Sequence, residues 1–325
     1  MVDQLSSVKT CIACGSPLGE NRAATDNLCE NCSAQQLAST TPYDLQRTDD
    51  AVPLPAAPFD DYYARTELEP GQTPDPDRPH WGPVAGIGIW LFSVAAIIAV
   101  PFAALIAWYL LDRERGIAVP TFADPAAMLE YVQSPRLLLV QVYSTIIAHL
   151  VTLAFCWIVV TNLRKRPFLA SLGWNWTGRS PIYWIIFSAA VVGSVLIANA
   201  IFKLFLPQAE TPFDKLLNSS YQIKVAVAIL ATFSAPFTEE VIYRGLLFAG
   251  LRKYFGVPAT ILAVTIFFAG VHVLQYWGAW ASLSGLTMLS LILTIVRART
   301  KSILPCVIIH LVNNGFISLV LVFGG

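Results

Sequence analysis

The chain has 325 residues, of which 55% are hydrophobic and 13% are charged, and its mean hydropathy is +0.59. Soluble domains contain about 45–50% apolar and about 25% charged residues, so an ordinary soluble fold is excluded. The 21 basic residues are balanced by 21 acidic ones, which argues against nucleic acid as a partner, because a phosphate-binding surface needs a basic excess.

Two CxxC pairs stand near the amino terminus, formed by Cys11, Cys14, Cys29 and Cys32. Four thiolates at this spacing are typical of a structural zinc site. Two disulfides are the alternative, and they would need an oxidising compartment. We predict a zinc-ribbon-like module at residues 1–35, placed in the cytosol, with a cytosolic protein as its partner.

Residues 36–80 are rich in proline and acidic side chains. Such a segment cannot bury enough apolar surface to fold alone, so we predict a disordered linker. The first 80 residues also lack a basic stretch followed by an apolar one, and a cleavable signal peptide is therefore not expected.

Residues 81–325 are apolar, and about 20 apolar residues cross a bilayer as an α-helix. The sequence predicts an all-α, polytopic membrane helix bundle with about seven transmembrane helices. They are expected at roughly 84–111, 137–161, 182–206, 222–247, 257–277, 281–296 and 303–323.

Basic residues favour the loops on one side of this bundle. If the amino terminus is cytosolic, the loops at 162–181, 250–256 and 297–302 face the cytosol, and these loops carry most of the loop arginines and lysines. This bias has the sign of the positive-inside rule. We predict an integral protein of the plasma (inner) membrane with a cytosolic amino terminus.

A few ionisable residues fall within the predicted spans. A charge facing lipid costs about 3 kcal/mol or more, so each should face the protein interior or a wet cavity. These residues are Glu239, Glu240, Arg244, His272 and His310, with His149 apart from them. Taken singly, each is also explained by an ion pair or hydrogen bond that only fixes helix packing.

Taken together, these polar residues indicate a catalytic site. Glu239 precedes two imidazoles, His272 and His310, and Asn314 stands one turn after His310. Phe268 is one turn before His272 and could wall the site. A carboxylate, two imidazoles and a carboxamide supply a general base, proton-carrying or metal-binding groups and an oxyanion donor.

Three spaced motifs carry a family resemblance over about residues 180–323. They are Glu239-Glu240-x3-Arg244, Phe268-x3-His272 and His310-x3-Asn314. In order and spacing they resemble the motifs of the CPBP family, which includes type II CAAX prenyl proteases and bacteriocin-processing or immunity membrane proteins. In the first motif, the resemblance implies that Glu240 with Arg244 supports the helix.

The resemblance implies an intramembrane endopeptidase that cleaves a membrane-associated protein, with two substrates open: a CAAX-like prenylated protein or another membrane-proximal peptide. Glu239 would activate water with help from His272. His310 and Asn314 would stabilise the oxyanion. Two mechanisms are open, since a zinc ion held by Glu239, His272 and His310 with one open position is as easily written as a metal-free glutamate mechanism.

Two other functions compete with a peptidase. One is a non-catalytic immunity or binding protein with the same fold, which the complete polar set disfavours. The other is a transporter or proton channel, which is disfavoured because no inverted repeat or broken helix pair is visible in the sequence.

Overall fold

The computed structural model of the protein describes residues 73–324. The predicted zinc-ribbon-like module at 1–35, with its four cysteines, lies outside the described residues, as does the predicted linker up to residue 72. The predictions for those segments stay predictions.

Helices make up most of the described chain. In chain order they are α1 (Pro83–Glu114), α2 (Pro125–Val132), α3 (Pro135–Thr161), α4 (Phe168–Ser171), α5 (Pro181–Phe205), α6 (Pro212–Asn218), α7 (Tyr221–Arg252), α8 (Val257–His272), α9 (Trp280–Thr300) and α10 (Leu304–Phe323). Proline opens many of them, at a position where its missing N–H leaves no bond unmade. Side chains of Asp124, Ser180, Thr211 and Ser220 cap α2, α5, α6 and α7.

Six helices, α1, α3, α5, α7, α9 and α10, are long and apolar enough to cross a membrane. The apolar helix α8 has only 16 residues, which is about 24 Å and less than the roughly 30 Å hydrocarbon core. The span expected at 257–277 is therefore helical only as far as His272, and residues 273–278 continue in turns. Over residues 73–324 the protein is an all-α integral membrane helix bundle, as the sequence predicted.

The bundle exposes many large apolar side chains and buries a few charged ones. Val84 is 86% exposed and Leu204 is 78% exposed, whereas Glu240, Arg244 and Arg297 have no exposed surface. This distribution suits a lipid solvent, in which a charge must find its partners within the protein.

Contacts between connecting segments define two ends of the bundle. At one end Asn175 and Ser302 exchange hydrogen bonds, and Arg297 Nη1 donates to Asp77 Oδ1 at 2.8 Å. At the other end, residues 207–209 bond to residues 278–280. The loops before α5 and after α9 thus share an end, as the charge analysis assumed.

The last residues before α1 are packed against the bundle. His80 Nε2 donates to the Val159 carbonyl at 2.9 Å, and Trp81 Nε1 donates to the Leu246 carbonyl at 3.1 Å. The predicted disordered linker is therefore wrong for residues 73–80. Composition averaged over the linker hid a short stretch whose polar groups meet buried partners.

Candidate functional site

Two π-helical segments interrupt α7, at Leu230–Ser234 and Val241–Leu247. The six residues between them, Ala235–Glu240, are α-helical and end with the paired carboxylates Glu239 and Glu240. A π-helical segment packs an extra residue into a turn, and such segments are rare and frequent at functional sites. The irregular backbone thus lies on either side of the residues predicted to do the chemistry.

Side chains from neighbouring helices bond to carbonyl groups of these π-helical segments. Asn314 Nδ2 donates to the Ala231 carbonyl at 2.9 Å, and Arg297 Nε donates to the Arg244 carbonyl at 3.0 Å. In a bilayer every backbone carbonyl must be satisfied within the protein. These bonds make the irregular turns compatible with burial, and they attach α7 to α10 and α9.

Glu240 is fully buried and bonded. Its Oε1 accepts hydrogen bonds from Arg244 Nη1 at 2.9 Å and from His310 Nδ1 at 2.8 Å. The Arg244 side chain also donates to the carbonyl and the hydroxyl of Ser290 on α9. Glu240 Oε2 is buried and has no hydrogen-bond partner among residues 73–324. The carboxylate therefore links three helices, α7, α9 and α10, through its partners.

Glu239 is the accessible member of the pair. Its side chain is 22% exposed, and its Oε2 lies 3.8 Å from His310 Nε2. His310 Nδ1 faces the Glu240 carboxylate, which can only accept, so this nitrogen carries the hydrogen and the ring presents Nε2 to Glu239. The carboxylates of Glu239 and Glu240 thus lie on either side of the His310 imidazole. Glu240 belongs to a buried ion pair, whereas Glu239 is accessible.

His272 is the last residue of α8, and its Nδ1 donates to the Phe268 carbonyl at 2.8 Å. Because a carbonyl only accepts, the neutral ring must carry its lone pair on Nε2. The Phe268 ring centroid lies 4.9 Å from that of His272 and 6.2 Å from that of His310. Phe268 is therefore the wall shared by the two imidazoles.

Asn314 is already bonded on both sides of its carboxamide. Its Nδ2 donates to Ala231, and its Oδ1 accepts from Asn313 Nδ2 at 3.1 Å. One N–H of the amide remains for an oxyanion. The predicted oxyanion role is therefore combined with a structural bond to the first π-helical segment.

In the sequence His149 lies apart from the predicted site residues, but in the structure its side chain contacts α7. Its Nδ1 lies 2.8 Å from Ser234 Oγ, and the buried ring interacts electrostatically with Glu239. Tyr276, in the turn after α8, is also affected by the charge of Glu239. Burial, followed by the charges of Asp214 and Glu239, raises the pKa of the Tyr276 hydroxyl to about 12. The signal that could have found His149 is an ionisable residue in an apolar span, which marks a functional site by default.

Within the described residues, the predicted catalytic zinc ligands Glu239, His272 and His310 do not form a metal-ligand set. Across residues 73–324, no three His, Cys, Asp or Glu side chains are arranged to hold a metal ion. Glu239 and His310 face each other, but His310 Nδ1 is directed at Glu240 and His272 Nδ1 is bonded within its own helix.

Residues 221–316 match the protein-family model described as Type II CAAX prenyl endopeptidase Rce1-like. No curated protein and no solved structure matches the chain. The matched segment begins with α7 and ends within α10, so it is narrower than the resemblance at about 180–323. It contains all four predicted catalytic residues, and it confirms the family that the motifs indicated. Over residues 221–316 this chain is thus similar to the Rce1-like type II CAAX prenyl endopeptidases.

Proposed function

We propose that the chain is an intramembrane endopeptidase that hydrolyses a peptide bond of a membrane-associated protein. The observation that carries the proposal is the contrast between two adjacent carboxylates in an apolar bundle: Glu240 is fully buried and paired, whereas Glu239 is open and faces His310. The Rce1-like match over the same segment supports a membrane protease.

Glu239 is the general base of this reaction. Its carboxylate takes a proton from water, and the resulting hydroxide attacks the carbonyl carbon of the scissile bond. A positioned general base contributes about 10²–10⁴-fold to a rate. The neighbouring Glu240 cannot serve in this way, because Arg244 and His310 already bond to its only partnered oxygen and the side chain has no exposed surface.

His310 carries charge and protons for the same reaction. Glu240 holds its Nδ1–H, so the ring orientation is fixed by a third group, as in other acid–base pairs. The proton that Glu239 takes from water passes to His310 Nε2, which makes Nε2 a donor directed toward the region of Glu239. That N–H stabilises the oxyanion of the tetrahedral intermediate and then protonates the leaving amide nitrogen.

His272 and Asn314 complete the proposed site. The Nε2 lone pair of His272, set by the bond to Phe268, accepts a hydrogen from the attacking water and assists Glu239. The free N–H of Asn314 stabilises the oxyanion beside His310.

The proposed substrate is a peptide at the membrane surface, with a CAAX-like prenylated tail as the first choice. The similarity of residues 221–316 to type II CAAX prenyl endopeptidases supports that choice. We place the chain in the plasma (inner) membrane, and the loop charges support a cytosolic amino terminus. A cytosolic zinc ribbon at Cys11, Cys14, Cys29 and Cys32 would bind a protein partner there.

The test uses the purified full chain in lipid vesicles with a farnesylated peptide ending in a CAAX sequence, and the same peptide without the lipid. We expect cleavage next to the cysteine, with the products identified by mass spectrometry. Glu239→Gln should lower the rate by about 10²-fold or more. Glu210→Gln, the same change at an exposed loop carboxylate, is the matched control and should cleave like the wild type. Wild-type rates in Glu239→Gln would refute the mechanism.

A chelator distinguishes the two mechanisms. Cleavage that persists after removal of metal, while the zinc of the amino-terminal module is released, supports the metal-free glutamate mechanism. Cleavage that is lost and then restored by zinc, in a variant with the four amino-terminal cysteines replaced by serine, supports a catalytic zinc ion.

A further inference from the structure

The juxtamembrane segment, residues 73–82, precedes α1 and is joined to the helix that carries the site. Trp81 is buried and donates to the Leu246 carbonyl, in the second π-helical segment of α7. A methyl group placed on Gly250 would lie 2.9 Å from the Gly82 carbonyl, so the two backbones meet without room for a side chain. The segment is thus built into the same core as α7.

Arg297 on α9 joins the segment to α7 a second time. Its Nη1 donates to Asp77 Oδ1 at 2.8 Å and its Nη2 donates to the Pro76 carbonyl at 3.1 Å. Its Nε donates to the Arg244 carbonyl at 3.0 Å, and its guanidinium stacks 4.9 Å from the centroid of the Phe248 ring. The planar fork of an arginine can make these bonds at once, whereas a lysine has one nitrogen and cannot.

The contacts then continue from Arg244 to the reacting groups. Arg297 holds the backbone of Arg244, the Arg244 side chain bonds to Glu240, and Glu240 orients His310. His310 Nε2 faces Glu239 at 3.8 Å. An unbroken series of contacts thus runs from Asp77 to the proposed general base.

Local geometry fixes the position of Asp77. Its own N–H donates to Asp75 Oδ1 at 2.9 Å, which closes a tight turn. Pro76 packs on Gly173, whose φ of +72° suits glycine, and a methyl group there would overlap the Pro76 ring and the Lys301 carbonyl. The Asp77 carboxylate is therefore held next to Arg297 by a turn that two contacts fix in place.

We propose that Asp77 is a positioning residue for the peptidase site, acting through Arg297 on the second π-helical segment. The Arg297 side chain is fully buried, and Asp77 is the carboxylate that neutralises it. Without the Asp77 charge, the Arg297 guanidinium turns toward other acceptors and its hydrogen bond to the Arg244 carbonyl is lost. The ion pair between Arg244 and Glu240 is then no longer held in one position. The kinetic part of this proposal rests on the proposed function.

The experiment compares Asp77→Asn, Asp77→Glu and Arg78→Gln in the full chain. Arg78 is exposed one residue away and is the matched control. We measure kcat and KM on the lipidated peptide, and hydrogen exchange of peptides spanning residues 241–252. Asp77→Asn should lower kcat by about tenfold with KM little changed, since hydrogen bonds to charged groups are worth about this factor. Exchange in 241–252 should become faster, Asp77→Glu should recover most of both, and Arg78→Gln should match the wild type.

A second pair of variants tests the route. Arg297→Lys should reproduce the effect of Asp77→Asn, and the double variant should be no worse than either single one, because both break the same link. Additive effects would overturn the proposal. So would a wild-type kcat and exchange in Asp77→Asn, or a loss of kcat that only follows the folded fraction. Exchange needs no substrate, so it decides on Asp77 even if the wild type cleaves nothing and the proposed function fails.

Discussion

The helices α1 and α7 each have 32 residues and cross the same bundle, yet they differ in what the membrane requires of them. The mean hydropathy of the most apolar window is 2.5 in α1 and 1.5 in α7. Helix α1 exposes apolar side chains such as Ile98 and is α-helical over its whole length, with one backbone bond missing at Pro101. Helix α7 holds Glu240 and Arg244 without exposed surface and contains two π-helical segments.

The difference shows where the polar interactions of a membrane enzyme are concentrated. A helix that faces lipid satisfies its backbone internally and needs only apolar side chains. Helix α7 gives up part of that internal bonding, and α10, α9 and the juxtamembrane segment supply the missing donors through Asn314, Arg297 and Trp81. The site is therefore a property of several elements together, and α7 should be far more sensitive to substitution than α1.

The largest effect on stability is expected at Arg244. Arg244→Met would leave the Glu240 charge buried without its ion-pair partner, and breaking a buried pair in this way costs about 3–5 kcal/mol. The free energy of unfolding can be measured by titration with a denaturing detergent. Ile98→Ala on α1, at a side chain that is 67% exposed, is the comparison and should cost less than about 0.5 kcal/mol. Equal losses in the two variants would contradict the contrast between the helices.

A smaller effect is expected at Asn314. Asn314→Leu leaves the Ala231 carbonyl unpaired inside the bundle, which costs about 1–3 kcal/mol, and removes the proposed oxyanion donor. The free energy of unfolding and kcat should both decrease. Asn199→Leu is the matched control, because Asn199 Oδ1 is buried without a hydrogen-bond partner in residues 73–324 and its replacement removes no such bond there. If the two leucine variants behave alike, Asn314 does not support the first π-helical segment.

The sequence was sufficient to predict the helix bundle and the family that its three motifs resemble, and the reasons are physical. Long apolar runs leave a chain little choice but helices, and i, i+4 spacing alone brings Glu240 to Arg244. It could not reveal the π-helical segments, because no residue type marks an extra residue in a turn. Nor could it place His149 or Asp77, whose partners are 85 and 220 residues away in the chain.

His149 gives a way to sharpen the comparison on the α3 side of α7. His149→Phe breaks the bond to Ser234 Oγ, and since a neutral hydrogen bond is worth about 0.5–1.5 kcal/mol, kcat should fall by about three- to tenfold. Ser234→Ala should have a similar effect, and the double variant should add little. Thr152→Val, three residues along α3 at a buried hydroxyl without a partner in the described chain, should leave kcat unchanged. Independent effects of His149 and Ser234 would show that they do not act as a pair.

The smallest expected effect lies at the end of the bundle, at His80. Burial lowers the pKa of His80 from its ordinary 6.5, the hydrogen bond to the Val159 carbonyl opposes this, and the charge of Arg166 adds to it. The Nε2–H makes that bond, so a second proton would go to Nδ1, which is buried without a hydrogen-bond partner in the described residues.

The sign of the pH dependence follows from that shift. Below pH 6.5 the unfolded chain binds a proton at His80 more readily than the folded protein, so stability present above pH 6.5 is lost as the pH falls. The detergent midpoint should drop between pH 7.5 and pH 5.5, and drop less in His80→Gln, whose amide can still donate to Val159. An identical drop in both proteins would mean that His80 is not held neutral by the fold.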